Sequence, residues 1–559
     1  MYIGIDAGGT HTDAAVVEQG KVVAIAKVVT RHDDLPASVR EALAALRGVD
    51  VRRAARVTLG TTLAVNAVVQ GKTDAVGLLL SAGPGLAPER SALGNFVHVA
   101  AGGLDHRGCE VTPLDVSGVA EAARAWGAAG VRACAVVGKF SPRNPAHEQR
   151  MAEALSAALP QAAVTRGHAL SGALNFPRRV ATAYYNAAVS RLHNRFIDAV
   201  EAAFREAGIN APVRLLKADG GAVPLSLSRR EPVQSILSGP AASVMGLLAL
   251  CPEVAAQDAL LLDVGGTTTD IALYVDGSPV LDRDGMRLNG RSTLVRSLAT
   301  LSIGVGGDSL IRRQDGAIVT GPLREGPAAA FGGAAATLLD ALNVLGPRQA
   351  GDAAASRAAV ETLAAAWGMP ANAVAQAAVD SALGKMAEAV QTLTARVNAA
   401  PVYTLAALLE HKQVTPARAW LVGGPADMLR SRLETALALP VTTPPHAEAV
   451  NAVGAALTLP TASLELFADT GAGRMRVPSR DMVRDIPRNY TLTQAKADAE
   501  SALREQLRQD GVDDIPVETV EADLFATLDD AGRGSKDIRV VCQILPGIAE
   551  QAVMPDMVE

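Results

Sequence analysis

The sequence predicts an α/β protein with two related lobes and a small α+β domain at its C-terminal end. Segments with the apolar spacing of strands and helices alternate along most of the 559 residues. One glycine–threonine motif occurs twice, and its second copy begins 257 positions after the first. From about residue 461 the pattern changes to a charged stretch, one amphipathic helix and two alternating strands. We therefore predict lobes at residues 1–175 and 176–460 and a domain at residues 461–559.

The composition is that of a folded protein with a large core. Hydrophobic residues make up 49% of the chain and charged residues 20%, which argues against disorder. A formal net charge of −6 gives no general attraction for nucleic acid or anionic lipid, so we expect neither as a partner. The four cysteines are scattered without a Cys-x-x-Cys pair, which argues against a cysteine metal site and indicates a reducing compartment.

The sequence predicts neither a membrane span nor a secretion signal. The most apolar stretch, residues 244–250, is far shorter than the ~20 residues that a membrane span needs. Met1 leads directly into a strand-like segment at residues 2–5, which leaves no room for a signal peptide. We therefore expect a cytoplasmic protein without a membrane partner.

The first half of the chain alternates strands and helices before one long helix. Predicted strands lie at residues 2–6, 14–17, 21–29, 56–59, 75–80, 96–100 and 131–137. Predicted helices lie at residues 35–46, 116–128, 145–159 and 178–207. Gln19 and Gly20 separate the second and third strands, which favours a hairpin at this point.

The second half repeats this order. Predicted strands lie at residues 259–264, 271–275 and 418–422, with a hairpin turn at Asp276 and Gly277. Residues 353–399 are alanine-rich and predict mostly helix, and a further helix follows Pro425 and runs through Leu437. In the C-terminal domain we predict a helix at residues 492–509 and strands at 517–528 and 538–545.

The repeated motif has the composition of a phosphate-binding hairpin. Each copy is an apolar strand, an Asp, one small or apolar residue, Gly-Gly-Thr, a spacer, Thr-Asp and a returning apolar strand. Glycines in a tight turn leave backbone N–H groups free to converge on an anion, and threonine hydroxyls add further donors. The predicted phosphate-binding residues are Gly8, Gly9, Thr10 and Thr12 in the first copy and Gly265, Gly266, Thr267, Thr268 and Thr269 in the second.

The aspartate at the end of each leading strand requires a separate explanation. Asp6 and Asp263 alone would repel phosphate, so we expect them to hold a hydrated Mg²⁺ that bridges the phosphates. Two such loops facing each other would bind the phosphates of ATP from both sides. The alternative is an ordinary glycine-rich turn, and for Asp13 and Asp270 turn capping explains the pattern equally well. The motif is neither a P-loop nor a Rossmann fingerprint, because a strand follows the glycines.

Three further glycine clusters fit the same cleft, although ordinary turns would explain each of them singly. One ends a strand and opens a helix, where free N–H groups favour an anion. The other two follow the second copy of the motif and a late strand. The residues that we predict to contact the nucleotide are Gly60, Thr61 and Thr62, then Gly304, Gly306 and Gly307, and finally Gly423 and Gly424.

These motifs, taken in order, resemble the hydantoinase/oxoprolinase family within the superfamily of actin, sugar kinases and Hsp70. The resemblance covers about residues 1–458 and rests on residues 6–13, 60–66, 141–148, 219–221, 237–242, 263–270, 304–307 and 321–340. His11, Val65 and Asp219 stand where the family usually has Phe, Thr and Asn. The stretch at residues 81–95 and the tail from residue 461 do not resemble the family pattern.

The resemblance implies a two-lobed ATPase fold and an ATP-dependent hydrolase. Such an enzyme opens a cyclic amide, for example a hydantoin or a 5-oxoproline-like lactam, through a phosphorylated amide. It also implies a hydantoinase B-like second subunit, and it leaves a homo-oligomer open. Asp6 and Asp263 would orient Mg²⁺ and water, whereas Asp219 fits either a catalytic base or a polar loop residue. Two alternatives stay open: a subunit of an ATP-dependent ketone carboxylase, and an Hsp70-like ATPase module acting on a protein partner.

Overall fold

The computed structural model describes residues 1–31, 34–282, 284–399, 413–509, 511–512, 515–529 and 531–554. The strands and helices named above lie in these ranges, with boundaries that shift by a few residues. Within the same ranges, no helix has both the length and the apolar character needed to cross a membrane.

The first lobe is built on a six-stranded mixed sheet. Its strands in spatial order are Ala222–Pro224, Val213–Leu216, Arg56–Thr61, Tyr2–Ala7, His11–Glu18 and Lys21–Val29. The central strand Tyr2–Ala7 is parallel to Arg56–Thr61 and antiparallel to His11–Glu18. Gln19 and Gly20 both have positive φ, 51° and 69°, so the predicted hairpin turn is confirmed. The helices of this lobe are Leu35–Ala45, Leu63–Val69, Phe176–Glu206 and Leu225–Arg230, with 3₁₀ turns at Val51–Arg53 and Pro232–Ser235.

An insert domain is built on a second, all-parallel sheet between the early strands and the long helix. Its strands in spatial order are Ala163–Arg166, Ala133–Val137, Val76–Ser81 and Phe96–Ala100. Its helices are Val119–Ala128, Ala146–Ala158 and Gly167–Leu170, accompanied by a 3₁₀ turn at Pro88–Ser91 and a ribbon of Gly103–Leu104 with Glu110–Thr112.

The second lobe repeats the core of the first. Strand Ala259–Val264 is antiparallel to Thr269–Val275 and parallel to Arg418–Val422, as Tyr2–Ala7 is to its own two neighbours. The remaining strands are Ser278–Pro279, Thr300–Ile303 and Val441–Thr442 in this sheet, and the ribbons Arg287–Leu288 with Arg291–Ser292 and Ile311–Gln314 with Ala317–Thr320. The helices are Ser238–Leu250, Leu338–Leu345, Ala353–Trp367, Ala371–Asn398, Ala426–Leu437 and Val450–Leu457, with 3₁₀ turns at Pro252–Ala256, Ala329–Phe331 and Ala447–Ala449.

The boundary between the lobes lies later than predicted. The long helix Phe176–Glu206 contributes Phe196, Ile197 and Val200 to the same buried core as the central strand of the first lobe. Strand Val213–Leu216 pairs in parallel with Arg56–Thr61. Residues 176–230 therefore belong with the first lobe rather than with the second, because the helix returns the chain to the edge of the first sheet.

The C-terminal domain is a five-stranded antiparallel sheet covered by one helix. Its strands in spatial order are Met482–Asp485, Arg474–Val477, Ser463–Asp469, Gly534–Gln543 and Glu518–Leu528, and its helix is Leu492–Gln509, with a 3₁₀ turn at Pro478–Arg480. The chain then leaves this domain. Ile548 pairs with Thr458, and Val553 exchanges backbone hydrogen bonds with Gly20 and Val22. Residues 548–553 thus pack on the lobes, which the predicted domain of 461–559 did not anticipate.

Two helices cross between the lobes in direct backbone contact. Ser238–Leu250 packs on Val450–Leu457, and both helices lie between the central strands of the two lobes. A methyl group added to Gly246 would lie 2.0 Å from Val450 O, and one on Gly454 would lie 2.1 Å from Ala242 O. Only glycine permits this approach. The crossing brings the N-terminal half of each helix beside the ends of the two central strands.

Candidate active site

The two copies of the motif fold into hairpins of the same geometry. In the first, the N–H of Gly8 donates to His11 O at 3.0 Å, and in the second the N–H of Gly265 donates to Thr268 O at 2.9 Å. Asp6 lies opposite Asp13 in the strand register, and Asp263 lies opposite Asp270. We call residues 7–12 the first loop and residues 264–269 the second loop.

The loops face each other across the interface between the lobes, which confirms the predicted arrangement. A methyl group added to Gly266 of the second loop would lie 3.1 Å from Thr10 Cγ2 of the first loop. Asn451, at the start of an interlobe helix, bridges the two aspartates. Its Nδ2 lies 3.3 Å from Asp6 Oδ2 and 3.4 Å from Asp263 Oδ2. One amide thus contacts both carboxylates.

Each aspartate is also covered by a glycine at the end of the neighbouring parallel strand. A methyl group on Gly60 would lie 2.6 Å from Asp6 Oδ1, and one on Gly423 would lie 2.9 Å from Asp263 Oδ1. A side chain at either position would push the carboxylate aside. Two of the predicted glycine clusters therefore meet the twin aspartates in equivalent positions. Gly424, by contrast, is exposed and has no atom near its missing side chain.

The third glycine cluster supports the second loop. The N–H of Gly307 donates to Gly265 O at 2.9 Å, and the N–H of Asp308 donates to Gly266 O at 2.7 Å. A methyl group on Gly306 would meet Gly265 O and Gly266 C at 2.7 Å. Gly304 instead packs on Pro322.

The threonines divide into two groups. Thr12 and Thr269 are fully buried, and their hydroxyls bond to Thr30 Oγ1 and Val305 O, respectively. The hydroxyls of the cluster after Gly60 are likewise used within the fold, since Thr61 Oγ1 accepts from Leu63 N and Thr62 Oγ1 donates to Ala7 O. These four hydroxyls hydrogen-bond within the fold and support the loops, although the sequence predicts contacts with phosphate for them. The partly exposed threonines of the loops are Thr10, Thr267 and Thr268.

Burial disfavours the ionised form of the aspartates at this site. Burial, followed by the charge of Asp13, raises the pKa of Asp6 to about 7, and burial also raises the pKa of Asp263. The pKa of Asp270 rises to about 7, again mainly because of burial. Asp6 Oδ1 is buried and has no hydrogen-bond partner among the described residues. A buried carboxylate oxygen without a donor is costly unless a cation or water satisfies it.

The donor set fits a magnesium ion better than a transition metal. Within the part of the chain that the structure describes, no group of three or more His, Cys, Asp or Glu residues could hold a metal ion. Mg²⁺ typically binds one or two carboxylates and completes its octahedral shell with water and substrate phosphates. Asp6 and Asp263, joined through Asn451, provide two carboxylates of this kind, and the unpaired Asp6 Oδ1 is an available ligand atom.

Asp219 lies in a different environment. It is fully buried, and its carboxylate bonds to Lys217, Arg296 and Thr461. Burial opposes ionisation, but the charges of Lys217 and Arg296 outweigh it and hold the pKa of Asp219 well below its usual range. None of its recorded contacts is with Asp6 or Asp263. These contacts favour a structural role over the role of a base, because a carboxylate with a low pKa accepts a proton poorly.

Sequence reasoning missed three side chains of this site. They are Asn451, Ser243, whose Oγ donates to Asp263 Oδ2 at 2.5 Å, and Lys27, whose Nζ lies 2.7 Å from Asp13 Oδ1. Asn451 is the one polar residue of helix Val450–Leu457, and a lone polar side chain in an apolar helix was a usable signal. Lys27 and Ser243 gave none, because each lies within an ordinary strand or helix pattern.

Comparison with known proteins identifies the family. Residues 179–463 match hydantoinase/oxoprolinase, and residues 2–159 match the hydantoinase/oxoprolinase N-terminal region. The chain is 30% identical over 353 residues to caprolactamase subunit alpha of Pseudomonas jessenii, covering 58% of this chain and 50% of that protein. It is 26% identical over 355 residues to the acetophenone carboxylase gamma subunit of Aromatoleum aromaticum, covering 56% of this chain and 47% of that one. It therefore spans about half the length of these curated relatives.

Two solved structures share the fold over essentially the whole chain. The ATP-dependent caprolactamase of Pseudomonas jessenii superposes with a TM-score of 0.71 at 22% identity, covering 100% of this chain and 89% of that one. Nucleotide-free acetone carboxylase superposes with a TM-score of 0.69 at 18% identity, covering 98% and 88%. The predicted two-lobed α/β fold is confirmed, and the C-terminal domain, which lacked a sequence resemblance, lies within the superposed region. Since one family match alone covers more than half of its length, the chain belongs to the hydantoinase/oxoprolinase family.

Proposed function

We propose that this chain is the ATP-using enzyme, or enzyme subunit, of a reaction that opens a cyclic amide by phosphorylating its carbonyl oxygen. The observation that carries the proposal is the pair of facing loops, each headed by a buried aspartate and linked by Asn451. The relatives whose names state an activity include a caprolactamase and a 5-oxoprolinase, both of which act on cyclic amides. Both proteins are similar in sequence to this chain.

The loops would hold the phosphates of ATP through their backbone N–H groups and three hydroxyls. The available donors are the N–H groups near Gly9 and Gly266 and the side chains of Thr10, Thr267 and Thr268. Asp6 and Asp263 would hold Mg²⁺, which when bound neutralises phosphate charge and aligns the terminal phosphoryl group. Asn451 and Ser243 keep the two carboxylates oriented toward the gap between the loops. Catalysis of this kind depends on positioning and charge neutralisation.

The chemistry explains why an amide hydrolase would consume ATP. An unstrained amide carbonyl is stabilised by resonance, and its nitrogen is a poor leaving group. Transfer of the γ-phosphoryl group to the amide oxygen releases ADP and turns that oxygen into a good leaving group. Water then adds to the carbon, and the ring C–N bond breaks as the nitrogen is protonated, which leaves an acyl phosphate. A second water hydrolyses the acyl phosphate to the carboxylate and inorganic phosphate. The role of this chain's own residues is to orient the phosphoryl donor and exclude competing water.

A second candidate reaction has support from the relatives. The acetophenone carboxylase gamma subunit and the acetone carboxylase beta subunit match this chain, and acetone carboxylase shares its fold. The same loops would then activate a ketone or bicarbonate. We also propose a partner subunit, because three of these relatives are named as subunits of larger enzymes.

A panel of potential substrates tests the proposal. Phosphate release from ATP is measured with Mg²⁺ and, in turn, lactams, hydantoins and ketones with bicarbonate. We expect a lactam or hydantoin to accelerate turnover, and the Asp263→Asn variant to lose about 100-fold or more of that rate. The exposed Asp380→Asn variant is the matched control. Acceleration only by a ketone with bicarbonate would favour the carboxylase, and acceleration only by a protein would favour the ATPase module. Unchanged turnover in Asp263→Asn would contradict the role of this carboxylate.

A further inference from the structure

A large polar cavity lies where three parts of the molecule meet. It has a volume of about 640 Å³ and is enclosed by residues 163–170 of the insert domain, residues 217–234 of the first lobe and parts of the C-terminal domain. Small-molecule sites in proteins commonly have volumes in this range and lie at domain interfaces. The size and position of the cavity are therefore those of a ligand site.

The lining of the cavity is strongly basic. Five basic side chains contribute to it, but only two acidic ones, Glu231 and Asp481. Three of the basic groups have carboxylate partners: Arg166 with Asp481, Lys217 with Asp219, and Arg229 with Asp198 and Glu201.

The other two basic groups are not neutralised. Neither Arg230 nor Arg480 forms an ion pair in the described part of the chain. Among the described residues, Arg480 donates to Ala502 O and Gln509 Oε1. Two guanidinium groups without a carboxylate therefore line the same cavity. A guanidinium presents planar pairs of N–H donors that match the two oxygens of a carboxylate.

The cavity lies beside the candidate active site. Lys217 follows strand Val213–Leu216 directly, and the strand register aligns Leu215 with Leu59, and Leu59 with Ile5. Lys217 is thus level with the start of the first loop and two strands away from it. At a strand spacing of about 4.8 Å, this separation is about 10 Å. Moreover, Gly220 packs on Met245 of the helix that holds Ser243. The cavity wall at Lys217 therefore lies about two strand spacings from the start of the first loop.

We propose that this cavity receives the small-molecule substrate and selects a cyclic amide that carries a carboxylate. The inference rests on the proposed function, and it narrows the substrate class from cyclic amides in general to anionic ones. Arg230 and Arg480 bind the carboxylate, and the amide carbonyl points toward the loops. Arg480 lies beyond residue 463, where the match to the family ends, so a specificity-determining residue comes from the C-terminal domain.

Matched pairs of ligands test this inference by calorimetry on the full chain. The probes are 5-oxoproline against 2-pyrrolidinone, and hydantoin-5-acetic acid against hydantoin, because each pair differs in the carboxylate group. We expect at least one acid to bind about tenfold more tightly than its neutral counterpart. Arg230→Gln and Arg480→Gln should each remove most of that preference and leave the binding of neutral lactams unchanged, because loss of one charge-assisted hydrogen bond costs up to about tenfold in affinity.

The control is Arg508→Gln. Arg508 lies on the same helix as Gln506 and Gln509 of the cavity, but it is exposed, pairs with Glu505 and does not line the cavity. Equal binding of acid and neutral probes, or an equal effect of Arg508→Gln and Arg480→Gln, would overturn the inference. Titration with the non-hydrolysable ATP analogue AMP-PNP is carried out in parallel. If the unsubstituted chain binds no nucleotide, the proposed function is wrong. If the unsubstituted chain binds AMP-PNP but shows no preference for the acid probes, only this inference is wrong.

Discussion

The first and second loops have the same hairpin geometry but are supported differently. The two glycines of the second loop, Gly265 and Gly266, accept backbone hydrogen bonds from Gly307 and Asp308. The first loop is held at its two ends instead, because Thr62 N donates to Ala7 O at 3.2 Å and Thr30 N donates to Thr10 O at 2.9 Å. Its glycine Gly9 has no neighbour near the missing side chain, and His11 is exposed. The aspartates differ as well. Asp263 accepts from Ser243 in addition to Asn451, whereas Asp6 Oδ1 lacks a partner within the described residues.

This difference suggests that the two loops have different roles in binding the nucleotide, despite their similar sequences. A loop whose glycines are held by backbone hydrogen bonds keeps its N–H donors oriented before a ligand binds, which reduces the entropy lost on binding. A loop that is held at its ends, with no such bond to its glycines among the described residues, can adjust at its tip to the ligand. We infer that the second loop is the fixed half of the phosphate site and that the first loop, with its unsatisfied carboxylate, is completed by the metal ion and nucleotide.

The largest effect should come from disturbing the support of the second loop. A methyl group on Gly306 would meet Gly265 O and Gly266 C at 2.7 Å, so Gly306→Val must displace that loop. We expect nucleotide binding to weaken by about 100-fold. Gly9→Ala, where the methyl group meets nothing within 4 Å, should weaken it by less than about fivefold. Titration of both variants with AMP-PNP and Mg²⁺ compares them directly, and equal losses would show that the two loops are equally constrained.

The second effect concerns stability and its dependence on pH. The folded pKa of Asp6, about 7, lies above its ordinary value of 3.8, so the folded chain loses stability as pH rises between these values. Three pKa units correspond to about 4 kcal/mol. We expect Asp6→Asn to raise the free energy of unfolding of the ligand-free protein at pH 8 by about 2–4 kcal/mol, with a much smaller gain at pH 4.

Urea unfolding at the two pH values measures this difference, with Asp380→Asn as an exposed control. The same Asp6→Asn protein should lose magnesium-dependent nucleotide binding, since a neutral amide is a weaker ligand for Mg²⁺ than a carboxylate. A loss of stability at pH 8 would mean that the ionised carboxylate is already compensated in the ligand-free fold.

The third effect concerns the bridge between the loops. Asn451→Ala removes the donor that contacts both Asp6 and Asp263, so we expect nucleotide binding to weaken by about tenfold. The hydrogen bond from Asn451 lowers the pKa of Asp6, so its removal should also shift the pH midpoint of binding upward. Ser243→Ala is the comparison, because Ser243 contacts only Asp263 of the two aspartates. If Asn451→Ala and Ser243→Ala weaken nucleotide binding by the same factor, the contact of Asn451 with both aspartates contributes no more than a contact with one.

The smallest effect should follow from Lys27→Met. The ion pair of Lys27 with Asp13 spans 2.7 Å, but the lysine side chain is 39% exposed, and exposed pairs contribute little. We expect nucleotide binding to change by less than about threefold, with a small upward shift of its pH midpoint because the lysine lowers the pKa of Asp13. A pH titration of AMP-PNP binding measures both quantities. A loss above tenfold would place Lys27 among the direct phosphate ligands.

The sequence predicted the loops because their chemistry is local. The Gly-Gly-Thr turn and the aspartates on either side of it lie within residues 6–13 in the first copy and 263–270 in the second, and the repetition makes the pattern specific. The contacts of Asn451 could not be predicted in the same way. This residue lies 445 positions from Asp6 and 188 from Asp263, and only the crossing of the interlobe helices brings the three together.

The same distinction explains the errors. The buried state of Thr12 and Thr269 depends on neighbouring strands and loops, so sequence alone could not separate them from the partly exposed Thr10 and Thr267. The ion pairs of Asp219 with Lys217 and Arg296 likewise depend on a residue 77 positions away. The predicted lobe boundary at residue 175 is too early, because the sequence does not show which lobe a long helix packs against.

The most direct test of this account is calorimetric titration of the ligand-free chain with AMP-PNP in the presence and absence of Mg²⁺, repeated with Asp263→Asn. We predict that binding requires Mg²⁺, strengthens as pH rises through about 7 as Asp6 ionises, and is lost in the variant. Binding that is equally strong without Mg²⁺, or unchanged in Asp263→Asn, would contradict the claim that the two facing loops and their aspartates form one nucleotide site.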